Sequence, residues 1–372
     1  MVSASVNYTL NRNLVFQSDR SAVRSAGQYF LLAVVVLTGN TWTLHLLTGG
    51  LGMNRYAAKL CTELLFFLLS WSVLYSVLLT AFTVYLALDT FVITRVYAVA
   101  AEAESSAQSA QTEEETEEIE DEAQEETETI ITETSYSDEN ITITLTEYRE
   151  YETAIYVADI VLSSAEYSQT ALAENAYGRN VTAKTSEIAE SVGAILAING
   201  DYYGAQESGY VIRNGALYRS TASSGQEDLV IYANGSFGII SEDEVTAEPL
   251  LEAGAVQVLS FGPALVTEGT VSVTQDEEVG KAKASNPRTA IGIIDSPHYV
   301  FVVSDGRTEE SAGLTLSELA AFLSELGGST AYNLDGGGSS TLYFNGQVIN
   351  QPTTSGRHIK ERSVSDIVYI GY

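Results

Sequence analysis

The sequence predicts an α+β fold: a mixed, mostly antiparallel β-sheet core with a few helices, preceded by a transmembrane anchor and an acidic linker. Three observations carry this prediction. Residues 64–88, "LLFFLLSWSVLYSVLLTAFTVYLAL", form a run without a charge. Residues 101–140 hold 16 acidic residues and no Lys or Arg. Beyond residue 141, strand-like runs alternate with Asn-Gly turns.

The apolar run exceeds the roughly 20 residues needed to cross a bilayer as helix, so a span is expected within residues 61–100; a buried soluble helix is the lesser alternative. Arg55 and Lys59 precede the run, and Arg95 and the acidic stretch follow it. Positive charge on the N-terminal side orients the chain N-inside and C-outside. The expected location is the cell membrane, single-pass, with the C-terminal domain extracellular. "AVAAEA" at residues 98–103 resembles a cleavage site and would permit release. Residues 1–60 form an extension of uncertain role: residues 29–51 read as a second, weaker span, or Met53 is the true start.

Residues 101–140 read as a disordered, extended linker, because like charges repel and little apolar surface offsets ordering. From 141 to 372 the texture is globular. "ITITLTEY" and "AIYVADIVL" alternate at period two. "VIRNGALY", "IYANGSFGI" and "LYFNGQVI" set Asn-Gly between apolar runs, a hairpin signal. Thr315 and Glu318 make a capping box before Leu319, Phe322, Leu323 and Leu326, and Gly327 ends that helix. "AKTSEIAESVGA" is a second, weaker helix.

Composition excludes several chemistries. The chain carries 18 Lys and Arg against 49 Asp and Glu, a formal charge of −31, which argues against a nucleic-acid partner. Cys61 is the only cysteine, and His45, His298 and His358 are the only histidines. The globular part therefore has no disulfide or thiol nucleophile, and no zinc cluster is evident.

Four stretches set an apolar strand beside a polar or glycine-rich tip: "ILAINGDYYG", "NPRTAIGI", "FVVSDGRTEE" and "YNLDGGGSST". Strand ends converging on one rim present reactive groups. The polar residues there are Asn199, Asp201, Arg288, Asp305, Arg307, Asn333, Asp335, Ser339 and Ser340. Arginine forks suit phosphate oxygens, and bare backbone at Gly336, Gly337 and Gly338 could add N–H donors. An Asp beside Gly is also a common turn residue, and Tyr202 and Tyr203 are expected in the core. Ser339 lacks the spacing of a nucleophile elbow, and no P-loop lysine is present.

"AINGDYY", "SFGPALVTEGTV", "NPRTAIGI", "VVSDGRTEESAGLTLSELAAFL", "NLDGGGSSTLYFNGQVIN" and "RSVSDIVYI" together resemble the phosphodiester glycosidase family, from about residue 194 to 372. The resemblance implies hydrolysis of an α-linked N-acetylglucosamine from a phosphodiester, leaving a phosphomonoester. The family's motif positions fall on Asn199, Asp201, Arg288, Asp305, Asp335, Gly337 and Ser339, with Asn350 and Arg362 as further polar candidates. The cysteine-rich features of animal members are absent, and an envelope or extracellular glycan of the exopolysaccharide-related bacterial branch is the expected substrate.

Asp335 and Asp201 are the expected carboxyl pair, with Asp305 a third catalytic candidate. Arg288, Arg307, Arg362, Asn199, Asn333, Asn350, Ser339 and the three glycines are expected to bind substrate. No cofactor is required, although oxygen ligands of this kind suit Ca²⁺ or Mg²⁺. The alternatives are a phosphodiesterase that cleaves P–O and a non-catalytic envelope glycan binder.

Overall fold

The computed structural model of the chain describes residues 34, 36–97, 129–273 and 285–372. It divides into two units, Met1–Thr90 and Phe91–Tyr372.

In the first unit, residues 36–45 are helical, Leu46–Gly50 form a π turn, and a helix of 37 residues begins at Arg55 and ends at Phe91. Apolar side chains on all its faces are exposed, among them Leu64, Phe67, Leu68, Trp71, Leu78 and Phe82; a helix apolar all round needs an apolar surrounding. Among the described residues no helix is long and apolar enough to cross a membrane. The side chains of residues 70, 73 and 74, inside the charge-free run, lie outside the described set.

The second unit is α+β and its sheets are antiparallel, as expected. Nine strands form one sheet whose centre is Thr153–Leu162, His298–Ser304, Arg288–Asp295 and Thr330–Asn333. A five-stranded sheet contains Leu196–Asn199 between Leu342–Phe344 and Asp366–Ile370. A second five-stranded sheet has Ala255–Leu259 between Val211–Arg213 and Glu227–Tyr232. Their inner faces share one core, with Ile160, Ile291 and Phe301 from the first sheet, Ile198 and Phe344 from the second, and Leu229 and Leu259 from the third.

Period-two alternation leaves each sheet a second apolar face, and a helix covers it. Leu316–Glu325 sets Leu319, Phe322 and Leu323 against Val157, Ala290 and Val302. Thr185–Ser191 covers Ala197 and Ile367, and Ala247–Glu252 covers Ile212 and Val258. The Thr315–Glu318 capping box forms as expected: Glu318 N–H donates to Thr315 Oγ1 at 3.2 Å, and Thr315 N–H to Glu318 Oε2 at 2.8 Å.

The three Asn-Gly hairpins also form. Asn214-Gly215 and Asn345-Gly346 have positive φ at both positions, the type I′ geometry that suits strand twist.

One boundary differs. The globular part begins before residue 141, because Ile130–Ile131 and Ser135–Ser137 pair onto the nine-stranded sheet. Ser135–Ser137 alternates polar and apolar, and Tyr136 buries its ring in the core, whereas Ile130 and Ile131 stay exposed; the acidic composition around them hid two short strands. Residues 101–128 of the expected linker lie outside the described residues.

Asp228, fully buried on Glu227–Tyr232, yields a pH prediction. Burial, with Glu242 beside it, pushes its carboxyl up to about 9. A raised acid favours the folded state while protonated. Its contribution is complete below the unfolded value of about 3.9 and declines as pH rises toward the folded one. Thermal melts of the wild type should therefore fall in midpoint between pH 5 and pH 9, and Asp228→Asn should flatten that slope. Equal slopes for both proteins would remove Asp228 as the cause.

Candidate active site

The tips of three central strands meet at one rim, and the chain between them is stitched by backbone bonds. Leu334 N–H donates to Thr289 O at 2.8 Å, Asp335 N–H to Gly200 O at 3.3 Å, and Gly337 N–H to Pro287 O at 2.8 Å. Asn199 locks this junction. Its Nδ2 donates to Gly200 O and Asp335 O, and its Oδ1 accepts from Thr289 Oγ1 and the Thr341 N–H. Those four bonds use its full hydrogen-bonding capacity, so Asn199 positions the loop and does not face a ligand.

A cavity of about 890 Å³ opens over this junction. Asp335, Gly336, Gly337, Arg288, Arg307 and Arg362 line it, together with Asn286, Tyr202 and Phe261. Asp335 Oδ2 accepts from Ser339 Oγ at 2.6 Å and from Arg362 Nη2 at 2.9 Å. Burial pushes the Asp335 carboxyl above its ordinary range, against the opposing pull of Arg362 and Ser339. Arg362 also donates to Ser339 through Nε at 2.8 Å, so the three side chains form a closed set. Arg288 is almost buried, donating Nε to Leu314 O at 2.9 Å. Arg307 is held by Asn286 Oδ1 and Thr354 O. The result is one half-buried carboxyl, paired with Arg362, in a cavity that Arg288 and Arg307 also line.

Two of the three expected catalytic aspartates are elsewhere. Asp201 is sealed behind the rim: its Oδ2 accepts from Arg213 Nη2 and the Ser260 N–H, both at 2.9 Å, and its Oδ1 from the Tyr203 N–H. Arg213 in turn bonds Asp366 Oδ2 through Nε at 2.8 Å. Burial works against the Arg213 charge, but the two carboxylates hold the guanidinium firmly protonated. Asp305 accepts from Asn350 Nδ2, the Gln351 N–H and the Tyr156 hydroxyl, and burial raises its carboxyl. Neither Asp201 nor Asp305 lines the cavity.

The polar set divides similarly. Asn350 spends its amide on Asp305, Ser340 O and the Leu342 N–H, and Asn333 donates to Gly262 O. Both are buried away from the cavity, as are Gly338, packed on Thr354, and Ser339, which reaches it only through Asp335. The glycines also act differently from expectation. Gly337 N–H is used by Pro287, and Gly336 and Gly337 instead let the backbone fit against Pro287 and Arg307. The three aspartates expected to suit Ca²⁺ or Mg²⁺ stand in separate hydrogen-bond systems. Among the described residues no cluster of three His, Cys, Asp or Glu side chains is placed to hold a metal ion.

Tyr202, expected in the core, is 37 % exposed and packs edge-to-face on Phe261 at 5.2 Å, whereas Tyr203 is buried. Asn180 and Thr182 carried no sequence signal, and Phe261 lies in the stretch "SFGPALVTEGTV" without having been singled out as a site residue.

Residues 192–371 match the family model described as phosphodiester glycosidase. Residues 1–93 match the GtrA/DPMS transmembrane domain. Among similar proteins, the SPbeta prophage-derived uncharacterized protein YomE of Bacillus subtilis is 31% identical over 185 residues, covering 48% of this chain and 28% of that protein. The N-acetylglucosamine-1-phosphodiester alpha-N-acetylglucosaminidase of Mus musculus is 28% identical over 185 residues, 46% of this chain and 36% of that one. The chain thus spans about a third of the length of these relatives. The catalytic domain of the zebrafish enzyme of that name, a structure described as auto-inhibited by pro-peptide, shares the fold. Its TM-score is 0.51 at 20% identity, over 62% of this chain and 83% of that one.

Two substitutions separate holding from lining. Arg213→Met leaves Asp201 and Asp366 as buried carboxylates without their cation, and should cost about 3–5 kcal/mol of stability in denaturant titration. Gly337 has φ 65°, and a Cβ there would lie 2.9 Å from Arg307 Nη2. Gly337→Ala should therefore displace Arg307 and weaken inorganic phosphate binding measured by calorimetry, with a smaller loss of stability than Arg213→Met. Unchanged phosphate affinity would show that Arg307 takes no part in anion binding.

Proposed function

We propose that this chain is a membrane-anchored hydrolase that removes an N-acetylglucosamine-type sugar from a phosphodiester in an envelope or extracellular glycan. The observation that carries the proposal is the half-buried Asp335 carboxyl, raised by desolvation, in a cavity lined by Arg288, Arg307 and Arg362. The family-model match and the named activity of the mammalian relatives support it. The transmembrane family match and the apolar helix support an N-terminal membrane anchor. The charge flanks of residues 64–88 favour a single pass with the domain outside.

In this mechanism Arg288 and Arg307 grip the phosphodiester oxygens, and Tyr202 with Phe261 offers the sugar an apolar wall. The phosphomonoester is already a fair leaving group, so one carboxyl suffices. Arg362 and Ser339 hold Asp335 by Oδ2, and the carboxylate takes the proton of the water attacking the anomeric carbon. A carboxylate with a raised pKa is the better base. The C–O bond to phosphate breaks, and the electron pair leaves with the phosphate.

Release of N-acetylglucosamine from UDP-N-acetylglucosamine and envelope phosphoglycans tests the proposal. Asp335→Asn should lower turnover by roughly 10²–10⁴-fold, the range for a lost general base, with the melting midpoint close to wild type. Because the base must be ionised, activity should rise with pH through the Asp335 pKa. The midpoint of that rise should lie above the ordinary aspartate value of about 3.9, and the rise should be absent from the residual activity of Asp335→Asn. Wild-type turnover in the variant would return Asp335 to a turn residue.

A further inference from the structure

A second cavity of about 340 Å³ adjoins the first. Two loops divide them. Asn180 and Thr182 line the first cavity, while Tyr177, Gly178 and Arg179 of the same loop line the second; Gly204 of the facing loop lines both. Asn180 N–H donates to Gly204 O at 3.2 Å and ties the loops together.

Its walls are unusual for this chain. Tyr177 lies at the centre, with the rings of Tyr97, Tyr203 and Tyr218 at 5.8, 5.2 and 5.0 Å. Arg95, Arg179 and Arg219 also line the cavity, and among the described residues Glu207 is the one acidic lining residue. In a protein of formal charge −31 this local sign is inverted. Glu207 pairs with Arg179 at 2.9 Å. Arg219 donates to the carbonyls of Gly209, Tyr203 and Gln206, none of which carries charge, so its cation is not neutralised by those bonds.

The cavity is completed by a segment well separated in sequence. Arg95–Val96 pairs with Gly178–Arg179 as a two-stranded sheet, and Tyr97 N–H donates to Tyr177 O at 2.9 Å. Asn180, on the rim of the first cavity, donates Nδ2 to Ile93 O at 3.0 Å. Residues 93–97 therefore build the second cavity and brace the loop that borders the first.

Taking the hydrolase reading above as its basis, we infer that this second cavity is a subsite for the anionic glycan that continues from the phosphodiester. Tyrosine rings provide flat apolar faces for sugar rings, and the arginines match phosphate groups along the chain. The shared loops place it where a substrate longer than one sugar phosphate would extend. The preferred substrate is then a phosphorylated oligosaccharide or polymer, not a small sugar phosphodiester.

The test uses full-length protein in detergent and a phosphorylated hexasaccharide without the terminal N-acetylglucosamine, so that binding is read without turnover. Calorimetry should show binding by the wild type. Tyr218→Ala should weaken it about tenfold, the worth of one good aromatic contact, and Tyr218→Phe should restore it, since the ring face is retained. A hexasaccharide that does not bind, or binds both proteins equally, overturns the subsite, as does equal loss in Tyr218→Phe. Hydrolysis is scored separately on a methyl phosphodiester of N-acetylglucosamine and on the same group carried by the hexasaccharide. Tyr218→Ala should lower the ratio of kcat/KM for long over short substrate about tenfold, and an equal fall on both contradicts the subsite. Intact hexasaccharide binding without any hydrolysis would instead overturn the glycosidase reading and leave the subsite standing.

Discussion

A single buried guanidinium holds the ends of three strands together. Arg213, at the end of Val211–Arg213, reaches across to Asp366 at the start of Asp366–Ile370 and to Asp201 just past Leu196–Asn199. Three charged groups out of water cost several kcal/mol each, and only close pairing offsets that. The arrangement is therefore demanding: the two five-stranded sheets must meet at one separation. Gly200 follows from it, because a Cβ there would lie 2.5 Å from Asp366 Oδ1. Asn199 and Gly200, fixed by this contact, then fix Asp335.

The cavity uses a different electrostatic device. Asp335 is half-buried, with 15% of its side chain open to solvent, and its cation, Arg362, is more exposed still, at 45%. Incomplete compensation leaves burial as the dominant influence, and the carboxyl moves up. Asp305 and Asp228 are raised by burial as well, but neither lines the cavity; Asp335 combines the mismatch with a place where substrate or a proton can relieve it.

Much of the fold was legible because its signals are local. Asn-Gly turns, the Thr315–Glu318 cap and period-two alternation each act within a few residues, and each formed where expected. The nine-stranded pairing order was not legible, since it depends on contacts between strands far apart, such as Thr153–Leu162 against His298–Ser304. Among the cavity-lining residues, Asp335, Arg288, Arg307, Gly336 and Gly337 were readable from their strand-tip motifs, and Arg362 came only from the family resemblance. Asp201 and Asp305 were misplaced for a physical reason: an aspartate beside glycine looks the same in sequence whether it is clamped or open. What clamps them, Arg213 and Asn350, lies on other strands or loops. Phe261 and Asn180 were missed because loop position alone brings them to the rim.

Hydrolysis in ¹⁸O-labelled water addresses the central claim most directly. Wild-type protein is incubated with an N-acetylglucosamine phosphodiester, and the products are weighed by mass spectrometry. Attack at the anomeric carbon, with Asp335 taking the proton of water, predicts the label in the released sugar and an unlabelled phosphomonoester. Label in the phosphate would mean that the P–O bond breaks, and would contradict the account.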